Sequence, residues 1–287
     1  MNLGIKYLNN IRLNAMESIQ AEFFYRNPLE DGEEKPAFGL KEEDPNRPKH
    51  TAYNKTVKNA RGTEHSLSES GFKLINHQSA IQDFFDDEQI TSVYYKEMHD
   101  VVKEETGADE VIIFSHISRS EAEADLGKRK GAHRLVHNDF TPSFEENHLS
   151  FLQESEDKPE RITVYNLWRR FDKDGIDAPF ALCDSRSVSE KELIPTDLFD
   201  YVKADEGSPG AGVNIEIYQS SFSEGHEWNY YPKMNRDEVV MFKTFDSVEN
   251  PFLPTLHSAF DDVSSKGMEV TPRESIEVRA ICFFNEV

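Results

Sequence analysis

The spacing of the hydrophobic residues changes near Gly107, and this change limits the folds open to the chain more than any other feature. In residues 79–108, apolar side chains recur at steps of three and four, which predicts helix ending at Gly107. Beyond that point follow seven short segments rich in β-branched and aromatic residues, separated by Gly, Pro, Asp or Asn turns. We therefore expect a mainly β protein with flanking helices, its strands forming an antiparallel barrel or jelly roll. The segments are EVIIFSHISR (110–119), RITVYNLW (161–168), FALCDSRSV (180–188), VNIEIYQSSF (213–222), EWNYYP (227–232), EVVMFKTFDS (238–247) and ESIEVRAICFF (274–284).

The length of 287 residues suits one large domain with a buried core. We expect residues 1–287 to form this single domain in three parts. Residues 1–70 are largely polar and contain four prolines, which indicates an extended N-terminal arm. Residues 71–130 are expected to form a helical cover and the first strand, and residues 131–287 the β core that holds the functional site.

The charge balance argues against polyanionic partners. Asp and Glu outnumber Lys and Arg 54 to 32, which gives a net charge of -22. Because this field repels phosphate groups, we expect a small-molecule substrate, no nucleic acid and no membrane partner, with a homodimer as an open option. Cys183 and Cys282 lie in apolar, strand-like runs, and no run approaches the roughly eighteen apolar residues of a membrane span. These features favour a reducing, cytoplasmic location.

The stretch HRLVHNDFTPSF (residues 133–144) places His137 and Asp139 two positions apart in a strand-like run. Two histidines and one carboxylate form the set that holds non-haem iron(II) for oxygen chemistry, because these ligands leave other positions of the ion open. Among the ten histidines, His257 in PTLHSAF is the best third ligand, since the intervening chain is long enough to wind around a barrel and return. A surface or hydrogen-bonded His–Asp pair without metal is the alternative interpretation.

An anion site is expected after His257, in TPRESIEVRAICFF, where Arg273 and Ser275 form an R-x-S pair. On a strand these two side chains point the same way. A guanidinium matches a carboxylate with two N–H donors and the hydroxyl donates to the same group, so the pair suits the distal carboxylate of 2-oxoglutarate. The 2-oxo acid end of that molecule would chelate the iron. Arg279 has the same parity and is an alternative anchor, unless it forms an ion pair with Glu277 or another strand.

Alternation along two further segments predicts residues that line the pocket. In RITVYNLWRR (161–170), Asn166 and Trp168 share one face and are expected to point inward, Asn166 towards cosubstrate or substrate and Trp168 towards substrate. Trp228 and Tyr230 in HEWNYYP also share a face and are expected to form an aromatic wall for the substrate. For the aromatic residues plain core packing is the alternative, and for Asn166 it is satisfaction of backbone groups.

Three basic side chains are candidates for substrate contact. His133 has the parity of His137 along HRLVH and is expected at the mouth of the barrel. Arg134 and Arg169 are candidates for binding a carboxylate of an amino-acid-like substrate. A surface position is the alternative for His133, and ordinary ion pairs are the alternative for the two arginines.

Several longer motifs occur in one order between about residue 70 and residue 287. They are GFKLINHQSAIQDFFDDEQITSVYYKEM, TGADEVIIFSH, VHNDFTP, YNLWRR, FALCDSRSV, WNYYPKMNRDEVVMFKTFDS, HSAFDD and RESIEVRAICFF. With these motifs the chain resembles the Fe(II)/2-oxoglutarate-dependent hydroxylase/desaturases of fungal secondary metabolism, and it is similar to a component of bacterial cephem 7α-methoxylation. The resemblance implies a double-stranded β-helix (jelly-roll/cupin-like) core, Fe(II) as the metal, and 2-oxoglutarate and O2 as cosubstrates. It also implies that His137, Asp139 and His257 bind the iron and that Arg273, helped by Ser275, binds 2-oxoglutarate.

Two positions depart from the pattern of this family. Arg170 stands where a proline usually follows NLWR, and PKMNRDEV lacks the glutamine that often precedes DEV. Both changes can alter the shape of the pocket, so the substrates of relatives do not transfer directly to this chain.

The expected activity is oxidation of an unactivated C–H bond in a small amino-acid- or peptide-derived metabolite. Hydroxylation, desaturation and oxidative ring closure such as aziridine formation stay open, because they differ in the position of that bond by about an ångström. Two alternatives also stay open: a non-catalytic cupin-like metabolite-binding protein, and a metal-dependent hydrolase on the same His-Asp-His set. Release of succinate separates the oxygenase from the binding protein, and oxygen-independent turnover would indicate the hydrolase.

Overall fold

The computed structural model describes residues 18–39, 49–124, 126–149, 158–173, 175–199, 215–262 and 269–286. Within these ranges a nine-stranded and a five-stranded sheet pack against each other, so the mainly β fold with a jelly-roll core is confirmed. The strands are β1 (Ile19–Arg26), β2 (Ala37–Gly39), β3 (His50–Asn59), β4 (Phe72–Asn76), β5 (Glu110–Ser120), β6 (His137–Asn138), β7 (Arg161–Arg170), β8 (Phe180–Cys183), β9 (Leu193–Phe199), β10 (Ile215–Ser220), β11 (Trp228–Tyr230), β12 (Glu238–Asp246), β13 (His257–Ala259) and β14 (Glu274–Phe284).

The five-stranded sheet is antiparallel throughout and has the strand order β4-β12-β7-β14-β5. Side chains alternate along each strand, so the two faces of β14 have different surroundings. Ile276, Val278 and Ala280 on one face pack into the hydrophobic cluster under the helices. Ser275 and Arg279, one position out of step with them, face the nine-stranded sheet. The second face therefore carries the polar groups of the functional site.

The helical cover consists of α1 (Asp87–Gln89), a π-helical turn (Ile90–Tyr94) and α2 (Tyr95–Thr106). It ends at Gly107, whose backbone is left-handed with φ of 68°, as the spacing predicts. The prediction of helix for residues 79–86 is wrong. The carboxylate of Asp83 accepts a hydrogen bond from the backbone N–H of Phe85 and closes a turn. The helix begins only after Asp86, whose carboxylate caps it by accepting from the N–H groups of Glu88 and Gln89. In the part of the chain that the structure describes, no helix has the length and apolar character needed to span a membrane. The structure also contains two short α-helices, α3 (Glu121–Ala124) and α4 (Ser143–His148), and two 3-10 helices, Ser185–Ser187 and Glu190–Glu192.

The nine-stranded sheet has the order β1-β3-β11-β8-β13-β6-β10-β9-β2 and curls on itself. A backbone bridge joins Phe24 of β1 to Leu135, just before β6, which brings the first strand back towards the middle of the sheet. The curl encloses a hydrophobic cluster that includes Phe23, Tyr25 and Trp228. This cluster lies on the face of the sheet away from the functional site.

The N-terminal region differs from the expected arm. Strands β1, β2 and β3 belong to the nine-stranded sheet, and β4 and β5 also precede residue 131, so that position does not separate cover from core. The reason lies in alternation: Ala21, Phe23 and Tyr25 of β1 point into the core, while Gln20 and Glu22, which alternate with them, are exposed. Residues 1–17 and 40–48 of the expected arm lie outside the described residues.

Candidate metal centre

The two expected histidine ligands lie side by side on neighbouring antiparallel strands. His137 of β6 pairs directly with His257 of β13, and their ring centroids are 4.2 Å apart. Directly opposed residues project from the same face of a sheet. Their chain neighbours Val136 and Leu256 point the other way, into the cluster around Trp228. Core packing on one face therefore fixes the two imidazoles on the other.

Asp139 completes a group of three side chains. Its Oδ1 lies 3.5 Å from Nε2 of His137 and 3.8 Å from Nε2 of His257. One ligand atom from each residue lies within 4.8 Å of the other two. Nδ1 of His137 is 2.7 Å from the carbonyl of Leu135, and Nδ1 of His257 is 3.0 Å from that of Thr255. Because a carbonyl only accepts, both Nδ1 atoms carry the proton and both Nε2 atoms are available for a metal ion.

The second oxygen of Asp139 is held by the protein. Oδ2 accepts hydrogen bonds of 2.8 Å from Nδ2 of Asn166 and from Nε of Arg279, whose Nη2 is also 2.8 Å away. Arg279 donates through Nη2 to Glu277 at 2.7 Å, and Thr244 donates to Oδ1 of Asn166 at 3.3 Å. These contacts fix the carboxylate so that Oδ1 alone faces the imidazoles. The arrangement suits a carboxylate that binds a metal ion through one oxygen.

The charge states of this group match those that metal binding requires. Burial, together with the neighbouring His133 and His257, lowers the pKa of His137 to about 3, although Asp139 acts in the opposite direction. Burial alone would raise the pKa of Asp139, but Arg279 and the two imidazoles hold it well below its usual range. At neutral pH the protein therefore presents a neutral His137 imidazole and an ionised carboxylate.

We expect acidification from pH 7 to pH 5 to lower the melting temperature of the metal-free protein. Burial lowers the pKa of His65, His77, His137 and His226 in the folded state. Below about pH 6.5 the unfolded chain therefore binds more protons than the folded one, and the free energy of unfolding falls. Scanning calorimetry across this range measures the effect. A melting temperature that stays constant or rises towards pH 5 would contradict the expectation.

Arg273 and Ser275 are buried polar groups that lack a full set of partners. The guanidinium of Arg273 is 3% exposed, donates at 2.8 Å to the carbonyl of Ala178 and lies 5.5 Å from the Trp168 ring. Among the described residues, no carboxylate lies within 4.0 Å of it, and Oγ of Ser275 is buried without a hydrogen-bond partner. Burial lowers the pKa of Arg273 to about 9 in spite of the nearby Glu121. A buried, unpaired cation beside an unsatisfied hydroxyl fits a carboxylate ligand.

A cavity of about 30 Å³ lies beside the three ligand side chains. His133 lines it, with its ring centroid 4.2 Å from that of His137, and Trp168 lines it while stacking on Phe180 at 4.7 Å. Both residues thus lie where the strand parities predict. Phe180 also approaches the ring of His257, at 5.7 Å, so aromatic side chains lie beside the group of three candidate ligands.

Trp228 and Tyr230 share a face, but it points away from the metal centre, so the expected aromatic wall is wrong. Trp228 is fully buried, stacks on Phe23 at 4.3 Å and donates to the Tyr25 hydroxyl at 2.8 Å. Tyr230 packs against Phe260 in the same cluster. Both residues are core residues, because the curl of the sheet places β1 over this face. Parity shows that two residues share a face, but it does not show which face lines a site.

The remaining expected contacts are taken up by ion pairs and backbone groups. Arg134 pairs with Glu121 at 2.9 Å and with Asp261 at 3.0 Å, so the alternative of an ordinary ion pair describes it. Arg169 lies on the helix side of the sheet and donates to the Tyr94 hydroxyl at 3.0 Å. Arg279 is committed to Asp139 and Glu277, which corrects its expected role as an anchor for 2-oxoglutarate.

Four residues that line the cavity were not site candidates in the sequence analysis: Arg119, Phe180, Ala259 and Glu277. Glu277 shares the parity of Ser275 and Arg279, so a signal for its position existed on β14. Arg119 pairs with Ser275 across β5 and β14, and only knowledge of this register places it at the site.

The chain is similar in sequence and fold to several known proteins. A family described as "Oxidoreductase/YMDC permease-like domain" matches residues 23–283. The chain is 31% identical over 243 residues to the alpha-ketoglutarate-dependent dioxygenase phiK of a fungal species, a match that covers 79% of this chain and 83% of the relative. It is 29% identical to the hydroxylase/desaturase CTB9 of Cercospora beticola, over 80% of this chain and 76% of the relative. The solved structure of the iron and alpha-ketoglutarate-dependent endoperoxidase NvfI matches with a TM-score of 0.74 and 26% identity, covering 94% of this chain and 99% of that one.

Proposed function

Because the chain belongs to the alpha-ketoglutarate-dependent dioxygenases, we propose that His137, Asp139 and His257 bind its Fe(II) and that Arg273 and Ser275 bind its 2-oxoglutarate. The protein is an Fe(II)/2-oxoglutarate-dependent oxygenase, and its cosubstrates are 2-oxoglutarate (alpha-ketoglutarate) and O2. The convergence of three donors from distant positions supports the assignment of the ligands. Three protein ligands leave the other positions of a six-coordinate ion for the cosubstrates.

When bound, iron would supply the oxidative chemistry, in which O2 accepts two electrons from 2-oxoglutarate, which becomes succinate and CO2, and two electrons from the substrate. The protein residues supply position and charge. Asn166 and Arg279 hold the second oxygen of Asp139, so the carboxylate keeps one orientation. Arg273 offers N–H donors and a positive charge to the distal carboxylate of 2-oxoglutarate, and the Ser275 hydroxyl donates to the same group. Phe180 and Trp168 exclude water from the centre.

We propose that the substrate is a small amino-acid- or peptide-derived metabolite of fungal secondary metabolism, oxidised at an unactivated C–H bond. The relatives named hydroxylase/desaturase and endoperoxidase support oxidation of this kind. Hydroxylation, desaturation and ring closure are all compatible with the centre. His133 and Trp168, which line the cavity, are proposed to contact this substrate.

We further propose a cytoplasmic homodimer that does not bind nucleic acid. Cys183 and Cys282 are buried free thiols, which supports a reducing compartment. Ile112 and Phe114 are 43% and 41% exposed on β5, at the edge of its sheet, which supports an apolar contact with a second copy. The net charge of -22 opposes binding to a phosphate backbone.

The proposed function is tested by measuring succinate formed by the protein with Fe(II), ascorbate and 2-oxoglutarate across a panel of small metabolites. We expect succinate formation that needs O2 and that rises when a metabolite is oxidised. Turnover of a metabolite without O2 would instead indicate a hydrolase on the same three ligands. Metabolite binding without any succinate would indicate a binding protein.

Replacing Asn166 with alanine is expected to weaken metal binding about tenfold, because Asp139 loses a hydrogen bond that fixes its orientation. Calorimetric titration with Mn(II), which does not react with O2 here, measures this affinity. Asn229→Ala is the matched control, since Asn229 is a buried asparagine of β11 that donates to the carbonyl of Glu227. Equal Mn(II) affinities of the two variants would argue against a role of Asn166 at Asp139.

A further inference from the structure

The cavity beside the metal centre contains more positive than negative side chains. Three guanidinium groups line it, those of Arg119, Arg273 and Arg279, together with the carboxylates of Asp139 and Glu277. Both carboxylates contact Arg279, which donates to Asp139 at 2.8 Å and to Glu277 at 2.7 Å. Within the described residues, neither carboxylate is therefore shared with the other two guanidinium groups at ion-pair distance.

Arg119 is the guanidinium of this cavity that has no assigned ligand. It lies on β5 opposite Ser275 and is half-buried. Its Nη1 donates to the carbonyl of Gly131 at 2.9 Å, which anchors the side chain at one end. No Asp or Glu in the part of the chain that the structure describes lies within 4.0 Å of its nitrogen atoms. The guanidinium thus keeps N–H donors for a further acceptor, and a planar fork of this kind matches a carboxylate.

When Fe(II) and 2-oxoglutarate are bound, the positive charge of Arg119 still has no negative counterpart in the cavity. The cavity is lined by three guanidinium groups and two carboxylates, an excess of one positive charge. Fe(II) and the 2-oxoglutarate dianion add equal and opposite charges, so this excess does not change when both bind. Arg273 is taken by the distal carboxylate of 2-oxoglutarate under the proposed function. The other arginines considered for substrate binding lie elsewhere: Arg134 is paired with Glu121, and Arg169 faces the helices. A negative charge is therefore missing beside Arg119.

We propose that Arg119 binds a carboxylate of the substrate, so that the metabolite oxidised by this enzyme is a carboxylic acid. The inference rests on the proposed function, because that function assigns Arg273 to the cosubstrate. Arg119 is attached to a strand of the five-stranded sheet and to Gly131, so it holds the carboxylate at a fixed position relative to the metal centre. A bound carboxylate orients the substrate and thereby selects which C–H bond faces the iron.

The test uses the full-length protein loaded with Mn(II) and 2-oxoglutarate, and acetate and acetamide as probes of equal size and different charge. Paramagnetic Mn(II) shortens the relaxation times of nearby protons, so proton NMR relaxation of the two methyl groups reports binding in the cavity. We expect the relaxation of acetate to be enhanced about tenfold more than that of acetamide. The Arg119→Gln variant is expected to lose this difference, and Arg119→Lys to retain part of it.

Three results would overturn the inference. Equal enhancement of acetate and acetamide in the unmodified protein would show that the cavity does not select an anion. An unchanged preference in Arg119→Gln would place acetate on the metal or on another residue. A loss of 2-oxoglutarate affinity in Arg119→Gln of more than about threefold would assign Arg119 to the cosubstrate instead. Failure of the proposed function has a different signature, since the unmodified protein would then bind neither Mn(II) nor 2-oxoglutarate.

Discussion

His257→Ala is expected to abolish 2-oxoglutarate-dependent oxygen uptake while the protein stays folded. The substitution removes one of three proposed ligands, and loss of a ligand costs more than the ten- to hundredfold typical of the groups that support ligands. We therefore expect uptake to fall by at least about a hundredfold. The fold should survive, because Leu256, the neighbour of His257, still packs into the cluster around Trp228. An oxygen electrode measures uptake, and far-UV circular dichroism measures folding.

The control for this experiment is His99→Ala, which removes an exposed imidazole from α2 and leaves the metal centre untouched. Oxygen uptake of this variant should equal that of the unmodified protein. Undiminished uptake by a folded His257→Ala protein would refute the assignment of the three ligands. Calorimetric titration with Mn(II) gives a second measurement that does not depend on turnover, and the His257→Ala protein should show no saturable binding.

Arg273→Met is expected to weaken 2-oxoglutarate binding about a hundredfold and, at the same time, to raise the melting temperature of the ligand-free protein. The first effect follows from the loss of a charge-assisted contact to the distal carboxylate. The second follows from burial: the guanidinium is 3% exposed and has no carboxylate partner among the described residues, so an apolar side chain of similar length removes an uncompensated charge. For a chain of this size the gain should be a few degrees, roughly.

Arg170→Met provides the matched control. Arg170 is as deeply buried as Arg273, but it forms two hydrogen bonds of 2.8 Å with the buried carboxylate of Asp172. Its replacement strands that carboxylate and should destabilise the protein by about 3–5 kcal/mol. Thermal denaturation of both variants, with and without 2-oxoglutarate, measures the contrast. If the melting temperature of Arg273→Met falls and its 2-oxoglutarate affinity is unchanged, the proposal that Arg273 binds the distal carboxylate of 2-oxoglutarate is refuted.

Local periodicity was sufficient to predict much of the β core, whereas the three candidate metal ligands were predicted from the H-x-D motif, a later histidine and the family resemblance. The shared face of Asn166 and Trp168 follows from alternation along β7, and the end of the helical cover follows from Gly107. His137, Asp139 and His257 lie together because β6 and β13 are neighbours, although they are far apart in sequence.

The features that escaped prediction depend on tertiary packing. Trp228 shares a face with Tyr230, but only the curl of the nine-stranded sheet decides that this face is a core. Arg273 and Arg279 have the same parity, and only the position of Asp139 decides which of them is committed to a carboxylate of the protein. Residues 79–86 have helical spacing, but the side chain of Asp83 closes a turn there, and the side chain of Asp86 caps the helix that follows.

Because side chains alternate along β14, the residues that face the cavity are different from the residues that stabilise the hydrophobic cluster under the helices. Glu277 and Arg279 line the cavity beside the proposed metal centre, whereas Ile276 and Val278 pack under the helices, so substitutions in the two sets act on different faces of the sheet. New activities can thus arise on one side of the strand without loss of the fold. Insertion of a single residue into β14 would exchange its two faces. Charged side chains would then point into the hydrophobic cluster under the helices, and aliphatic side chains would point towards the proposed iron site. Natural variants of this strand should therefore keep its length and differ mainly at every second residue, on the face that lines the cavity.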